Sequence, residues 1–396
     1  MGRSSGYRRF CHCDGSHDNR SSVTINNLKN MALIDEISGK SNNIQADSYS
    51  ISLGEIISMY KEGDLDIHPE FQRFYRWTEY QKTRLIESFL LNIPVPPIFV
   101  SQREDGIWDV VDGLQRLSTV LQFVGICKDE EGNLLEPLVL KGTKMLPSLE
   151  GKKYDDKDDE ENSFSDVERR YLKRAKISLN ILLKNSDEGS KYELFQRLNT
   201  GGTALTDQEV RNCIMVMTDR SKYEIIQNLS KDEHFRATLR VNDKMIRERY
   251  DMELTTRFIC LRNETVENIG NARDFGEYLN ERIIALINDP QTNWDEEERI
   301  FRRTFEYLDD KMSDSVFCKY YEDVDKFKGG LIVGAFEVIA LGLGRRGGNV
   351  SVDFDLIDHV KSLWHRVDSG EITWRGNSAG GRLTRTLPLA DNFYED

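Results

Sequence analysis

Along the first half of the chain the spacing of apolar and polar positions changes period several times. Ser52-Leu-Gly-Glu55 forms a capping-box pattern ahead of "IISMYKEG" and predicts a short helix over 53–62, closed by Gly63. "DLDIHPEFQRFYRW" then reads as extended or irregular. Thr78-x-x-Gln81 is a second capping box. It opens an amphipathic helix with Leu85, Ile86, Phe89 and Leu90 on one face. "NIPVPP" ends that helix, because proline cannot continue it. "IFVSQREDGIWDVVDG" predicts strand, turn and strand, with Asp105-Gly106 at the turn. Leu114, Leu117, Val120, Leu121 and Val124 recur at helical spacing, and Gly125 stops the run. "LLEPLVLKG" reads as a further strand, "VERRYLKRAK" as a basic helix and "ISLNILL" as a buried strand.

The second half has a different rhythm. A helix through "YELFQRLN" leads to the turn "TGGTALT", and another helix is capped at Thr206 with Gln208 and Glu209 in its first turn. From there to the end the pattern is mostly helical. "GGLIVGAFEVIALGLG" reads as a buried helix despite Glu337, and no solenoid-period repeat is present. The expected class is α+β, in three parts. Residues 1–45 are a flexible extension, 46–205 a mixed domain and 206–396 a mostly α-helical domain.

Length and charge narrow this picture. A chain of 396 residues favours two cores over one. No apolar run reaches the length of a membrane span, and the first 30 residues lack the apolar core of a signal peptide. Six scattered cysteines form no disulfide framework, so a cytoplasmic protein with free thiols is expected. The "CHC" tract and His17 lack the second ligand pair of a zinc site. A net charge of −14 excludes a surface coated with positive charge but permits a local basic groove.

Three segments concentrate polar function. In "VVDGLQRLST" a glycine follows a strand and a helix starts at once, which exposes backbone N–H groups and the positive end of the helix dipole. Arg116 can pair with phosphate oxygens, Asp112 can hold a divalent cation and Gln115 can position a water. The alternative is an ordinary joint in which Asp112 caps the helix. No Walker A loop occurs anywhere. "HPEFQRFYRW" holds Gln72, Arg73, Tyr75, Arg76 and Trp77, which suit either phosphate pairing and base stacking or core packing with solvated arginines. "FQRLNTGGTALTDQEVRN" places Asn199 and Asn212 around a turn and reads alone as a connector between helices.

Together, "PEFQRFYRW", "LIESFLLNIPVPPIFV", "VVDGLQRLSTVLQF" and "FQRLNTGGTALTDQEVRN" resemble the DUF262 family, in that family's order, from about Ser50 to Asn212. The usual family motif is DGQQR; here its third position is Leu114, while Asp112, Gly113, Gln115 and Arg116 are in place. The resemblance implies a fold related to the ParB N-terminal domain and to sulfiredoxin. It also implies a nucleotide-binding, NTP-hydrolysing module of bacterial defence and restriction systems, working with Mg2+. By that likeness Asp112, Gln115 and Arg116 are catalytic. Gln72, Arg73, Gly113, Arg116 and Asn199 bind the nucleotide, and Asp112 is the metal ligand.

Many members of the family also carry an HNH-type nuclease domain. "LIDHVKSLWHRV" supplies Asp358, His359 and His365 but lacks that domain's proline and a second ligand segment. Cleavage of DNA in this system is therefore expected of a partner nuclease subunit. Two basic stretches are candidate DNA contacts. Arg169, Arg170, Lys173 and Arg174 form one; Arg236, Arg240, Lys244 and Arg247 share a face if "FRATLRVNDKMIRERY" is one helix. Each also reads as a solvated face, and the acidic run at 155–161 is placed to fold over one of them. Three functions remain open: an NTPase coupled to nucleic-acid sensing, a non-hydrolysing module that recruits a nuclease, and a metal-dependent nuclease. Self-association is also open.

Overall fold

The computed structural model describes residues 46–67, 77–103, 105–129, 132–182, 206–270, 274–374 and 378–395. Gln72, Arg73, Asn199, the "YELFQRLN" helix and the "TGG" turn lie outside the described residues, as does the 1–45 extension.

The first half is built on a five-stranded mixed sheet. Its strands are β1 (Ala46–Ser52), β2 (Leu65–Asp66), β3 (Ile98–Gln102), β4 (Trp108–Asp112) and β5 (Lys176–Leu182). The order across the sheet is β1-β5-β3-β4-β2. β3 and β4 form the expected antiparallel pair, whereas β3 runs parallel to β5. Four helices accompany the sheet: α1 (Leu53–Glu62), α2 (Glu79–Leu90), α3 (Leu114–Phe123) and α4 (Asp166–Arg174). Two of them start at the predicted caps, Ser52 and Thr78, and α4 starts at Ser165, a cap the sequence reading did not name. Thr78 and Ser165 make full capping boxes with Gln81 and Glu168. Ser52 accepts from the Glu55 N–H at 3.2 Å, without the reciprocal bond that the sequence pattern predicts.

One predicted strand is absent. "LLEPLVLKG" carries no strand beyond an isolated bridge at Leu134. It wraps the sheet half irregularly, with Leu138 and Leu140 buried. Pro137 has no N–H for a ladder, which favours this path.

The second half is helical. It comprises α5 (Asp207–Thr218), α6 (Arg220–Ser230), α7 (Glu233–Thr238), α8 (Asp243–Arg247), α9 (Tyr250–Leu261), α10 (Val266–Gly270), α11 (Phe275–Asn288), α12 (Trp294–Met312), α13 (Val333–Arg345), α14 (Leu356–Asp368) and α15 (Ala379–Asn392). A short hairpin, β6 (Lys319–Tyr321) with β7 (Lys326–Lys328), interrupts the helices. As its apolar run predicts, α13 is buried, from Gly334 to Gly344. None of the described helices is long and apolar enough to cross a membrane.

"FRATLRVNDKMIRERY" is not one helix. It divides into α7 and α8, separated by Leu239–Asn242, because Asn242 caps the second piece by accepting from the Met245 N–H at 3.0 Å. The predicted stripe of Arg236, Arg240, Lys244 and Arg247 is therefore broken between two helices.

Apolar side chains gather into two clusters, one in each half. Val111 belongs to the helical cluster, and Phe99 packs against it. Leu114, three residues on from Val111, belongs to the sheet cluster. The joint between β4 and α3 thus lies where the two cores meet.

Candidate functional site

The joint is built from a glycine that no other residue replaces. Gly113 has φ of 103° and is itself the N-cap of α3, so Asp112 is not the cap that the alternative reading supposed. A Cβ at this position would overlap Ile98 Cδ1 on the neighbouring strand. The consequence is chemical. Ser52, Thr78, Ser165 and Thr206 cap their helices with a side-chain oxygen, whereas α3 has no side-chain cap. The Arg116 and Leu117 N–H groups both donate to the Gly113 carbonyl, and the positive end of the helix dipole lies at the joint.

Arg116 lies in the first turn of α3, with its side chain 12% exposed. Its Nη1 donates to the carbonyls of Pro96 and Pro97, at 2.6 and 2.8 Å. Its Nη2 donates to Asp112 Oδ2 at 2.6 Å. The proline segment that ends α2 supplies acceptors without donors, which complements a guanidinium fork. Two contacts on Nη1 thus fix the side chain, while Nη2 pairs with a carboxylate that is 40% exposed. Gln115 is half-buried, with its Oε1 shielded from solvent. Leu114 points into the sheet core, 1% exposed. The departure from DGQQR at this position is therefore a packing choice, and it removes nothing from the exposed side of the joint.

A second ion network flanks the same strands. Arg103 donates to Asp109 and to Asp66, the latter at 2.7 Å, and Arg220 of α6 reaches Asp66 at 3.5 Å. Burial disfavours the Arg103 charge, but its hydrogen bonds to Asp109 and Asp66 outweigh burial and hold it well above its usual range. This network ties the sheet to the helical half.

Asp112, the carboxylate at the joint, is already paired with Arg116 and is 40% exposed. Among the described residues, no cluster of three or more His, Cys, Asp or Glu side chains converges on a common point. One half-open carboxylate suits Mg2+, which keeps several waters and takes one or two carboxylates beside phosphate oxygens. His359 packs at a tilt against Phe354, with Nδ1 2.7 Å from the Asp355 carbonyl, while His365 faces Glu322 at 3.3 Å. The two histidines have separate neighbours.

The basic stretches divide in a way the sequence did not show. Arg236 is held by Asp251 and the Ser230 carbonyl, and Arg240 by Asp314 at 2.8 Å. Lys244 is exposed, and the Arg247 side chain lies outside the described residues. Arg169 is held by Asp155 at 3.0 Å and Asp166 at 2.6 Å, while Arg170, Lys173 and Arg174 are exposed.

Sequence reasoning missed a polar centre in the helical half. Arg211 is 1% exposed and donates to Gln208, Asn280 and, more weakly, the Gly276 carbonyl. No carboxylate pairs with it among the described residues, and burial presses its guanidinium below its ordinary range. It lines a cavity of about 510 Å³ at the starts of α5, α11 and α15. Near it, Glu337 accepts from Arg382 Nη2 at 2.8 Å and from Thr386 at 2.9 Å, with Arg257 at 3.8 Å. The sequence did carry a signal, since Gln208, Arg211 and Asn212 occupy the same helical phase as the buried Met215.

A mixed sheet followed by a mostly helical half is the α+β order that the sequence pattern predicted. Residues 53–216 match the family described as the GmrSD restriction endonuclease, N-terminal domain. The match continues past 205 into α5. Among solved structures, the chain is similar to one titled "Structure of the C2221 form of Pnob8-like ParB-N domain". The identity is 13%, the match covers 82% of this chain and 98% of that one, and the TM-score is 0.24. No curated protein matches the chain.

Proposed function

We propose that the chain is the nucleotide-handling component of a restriction or defence system, and that the Asp112–Arg116 joint is the floor of its NTP pocket. The uncapped start of α3 beside a pre-positioned Arg116 carries this reading. A phosphate oxygen arriving there meets the positive end of the α3 dipole and competes with Asp112 for Arg116 Nη2. Arg116 need not reorient, because its Nη1 stays anchored on the two proline carbonyls. Asp112 would hold a Mg2+ ion, which would neutralise phosphate charge when bound. Gln115 is placed in the first turn of α3 to orient water. In hydrolysis, the water oxygen bonds to the γ-phosphorus, the β–γ bridge breaks, and the nucleoside diphosphate leaves. The match to a restriction-enzyme domain supports DNA as the system's target.

The test is phosphate release from each NTP, with and without DNA. Arg116→Ala and Asp112→Asn are each expected to lower turnover by about 100-fold or more. Unchanged turnover in both variants overturns the assignment. NTP binding without turnover in the unaltered chain favours the non-hydrolysing module.

A further inference from the structure

Helix α4 separates its charges into two sets. Arg169 is committed to Asp155 and Asp166. The neighbouring acidic run has its own partners: Asp156 and Asp159 both pair with Lys153, at 2.7 and 3.0 Å, and Asp159 also accepts from Asn162. The run therefore does not cover the rest of the helix. Arg170, Lys173 and Arg174 stand exposed, with no ion pair to a described carboxylate, and Lys176 is exposed at the start of β5. Leu172, fully buried, fixes the roll of the helix.

The same outer face carries two apolar residues in water. Val167 is 67% exposed and Tyr171 57% exposed. Val167, Arg170, Tyr171 and Arg174 fall at i, i+3, i+4 and i+7 and so form one stripe. An exposed ring between unpaired guanidinium groups offers a stacking platform with phosphate contacts on either side. A duplex keeps its base faces inside the stack, so only a single strand presents a base to Tyr171. The chain as a whole is strongly acidic, so this cationic stripe is a local attraction rather than a general one.

We propose that the outer face of α4 binds single-stranded nucleic acid, with Tyr171 stacking on a base and Arg170 and Arg174 holding the flanking phosphates. This rests on the reading of the chain as part of a nucleic-acid-directed system and adds a substrate form to it. Arg169 acts as a positioning residue by fastening the helix to the acidic run.

The experiment is fluorescence anisotropy of the full chain with labelled oligo-dT, oligo-U and a DNA duplex of equal length, over a range of salt. The unaltered chain is expected to bind single strands more tightly than duplex and to weaken as salt rises. The dT and U arms decide between DNA and RNA. Tyr171→Ala should cost about tenfold in single-strand affinity with little change in salt slope, and Tyr171→Phe should retain binding. Replacing Arg170 and Arg174 together by Ala should reduce the slope of log K on log salt by about 1.4. All these side chains are exposed, so thermal melting should stay unchanged. Equal binding of duplex with no effect of Tyr171→Ala overturns the single-strand assignment, and no binding of any oligonucleotide overturns the surface altogether. Phosphate release, measured on the same preparations, separates the two readings. Intact hydrolysis without strand binding defeats this one alone; strand binding without hydrolysis defeats only the NTPase.

Discussion

Arg116 in the sheet half and Arg382 in the helical half are both held by a carboxylate, yet they sit in opposite circumstances. The partner of Arg116 is Asp112, 40% exposed on a joint between strand and helix, and its remaining bonds go to neutral proline carbonyls. The partner of Arg382 is Glu337, shut away from water in the middle of α13, with Thr386 completing its coordination. An arriving anion can replace the first carboxylate without unmaking anything else. The second is itself sealed from water at 1% exposure, so an anion cannot take its place although Arg382 is 21% exposed. A buried pair fixes structure, whereas a half-open pair of the same chemistry is free to exchange.

The largest effect should come from breaking the buried pair. Glu337→Ala removes the carboxylate that Arg382 and Thr386 share and is expected to destabilise the chain by about 3–5 kcal/mol in urea unfolding. Asp112→Asn, at the exposed joint, should cost less than about 1 kcal/mol. Equal losses in the two variants would erase the distinction between fixed and exchangeable pairs.

A smaller effect separates the joint from ordinary turns in the same half. Gly63 and Gly113 both have positive φ, at 86° and 103°. A Cβ at Gly63 meets nothing, while one at Gly113 overlaps Ile98. Gly63→Ala should cost about 1–2 kcal/mol for backbone conformation alone. Gly113→Ala should cost about 1–3 kcal/mol more, in the range of a core overpacking change, and should lower phosphate release. If the two substitutions cost the same, the close approach of β3 to the joint does not constrain it.

The two halves also differ in how much of them the sequence disclosed. Caps at Ser52, Thr78 and Thr206, the β3–β4 hairpin and the burial of α13 were legible because each depends on residues within a few positions of one another. The strand-to-helix joint was legible for the same reason. What was not legible depends on partners far along the chain. Nothing near Arg116 announces that Pro96 and Pro97 hold it, and nothing near Glu337 points to Arg382. The basic stretches show the same limit. Arg236 and Arg240 resemble Arg170 and Arg174 in sequence, but only the first two meet carboxylates, at Asp251 and Asp314. The break at Asn242 was legible in principle, since Asn-Asp ahead of an apolar pair is a cap, but an apparent stripe of cations outweighed it.

The smallest expected effect concerns pH, and it also divides the molecule. Among the described residues, every histidine lies in the helical half: His234, His359 and His365. His234 Nδ1 sits 2.8 Å from Asp309 Oδ2, and that hydrogen bond raises its pKa above the usual imidazole value, with slight desolvation opposing. A pKa raised in the folded state stabilises the fold fully below the unfolded value near 6.5. That contribution is lost as pH climbs through the folded value. The side chain is about a third exposed, so the change in stability should be small. The shift itself is the sharper measurement. NMR titration of His234 should show a pKa above that of an unfolded-chain histidine, and Asp309→Asn should lower it toward that value. The same substitution should flatten the fall in stability between pH 6 and pH 8 while leaving the Asp112–Arg116 joint unaffected. A His234 titration indifferent to Asp309→Asn would mean that this pair does not supply the pH response of the helical half.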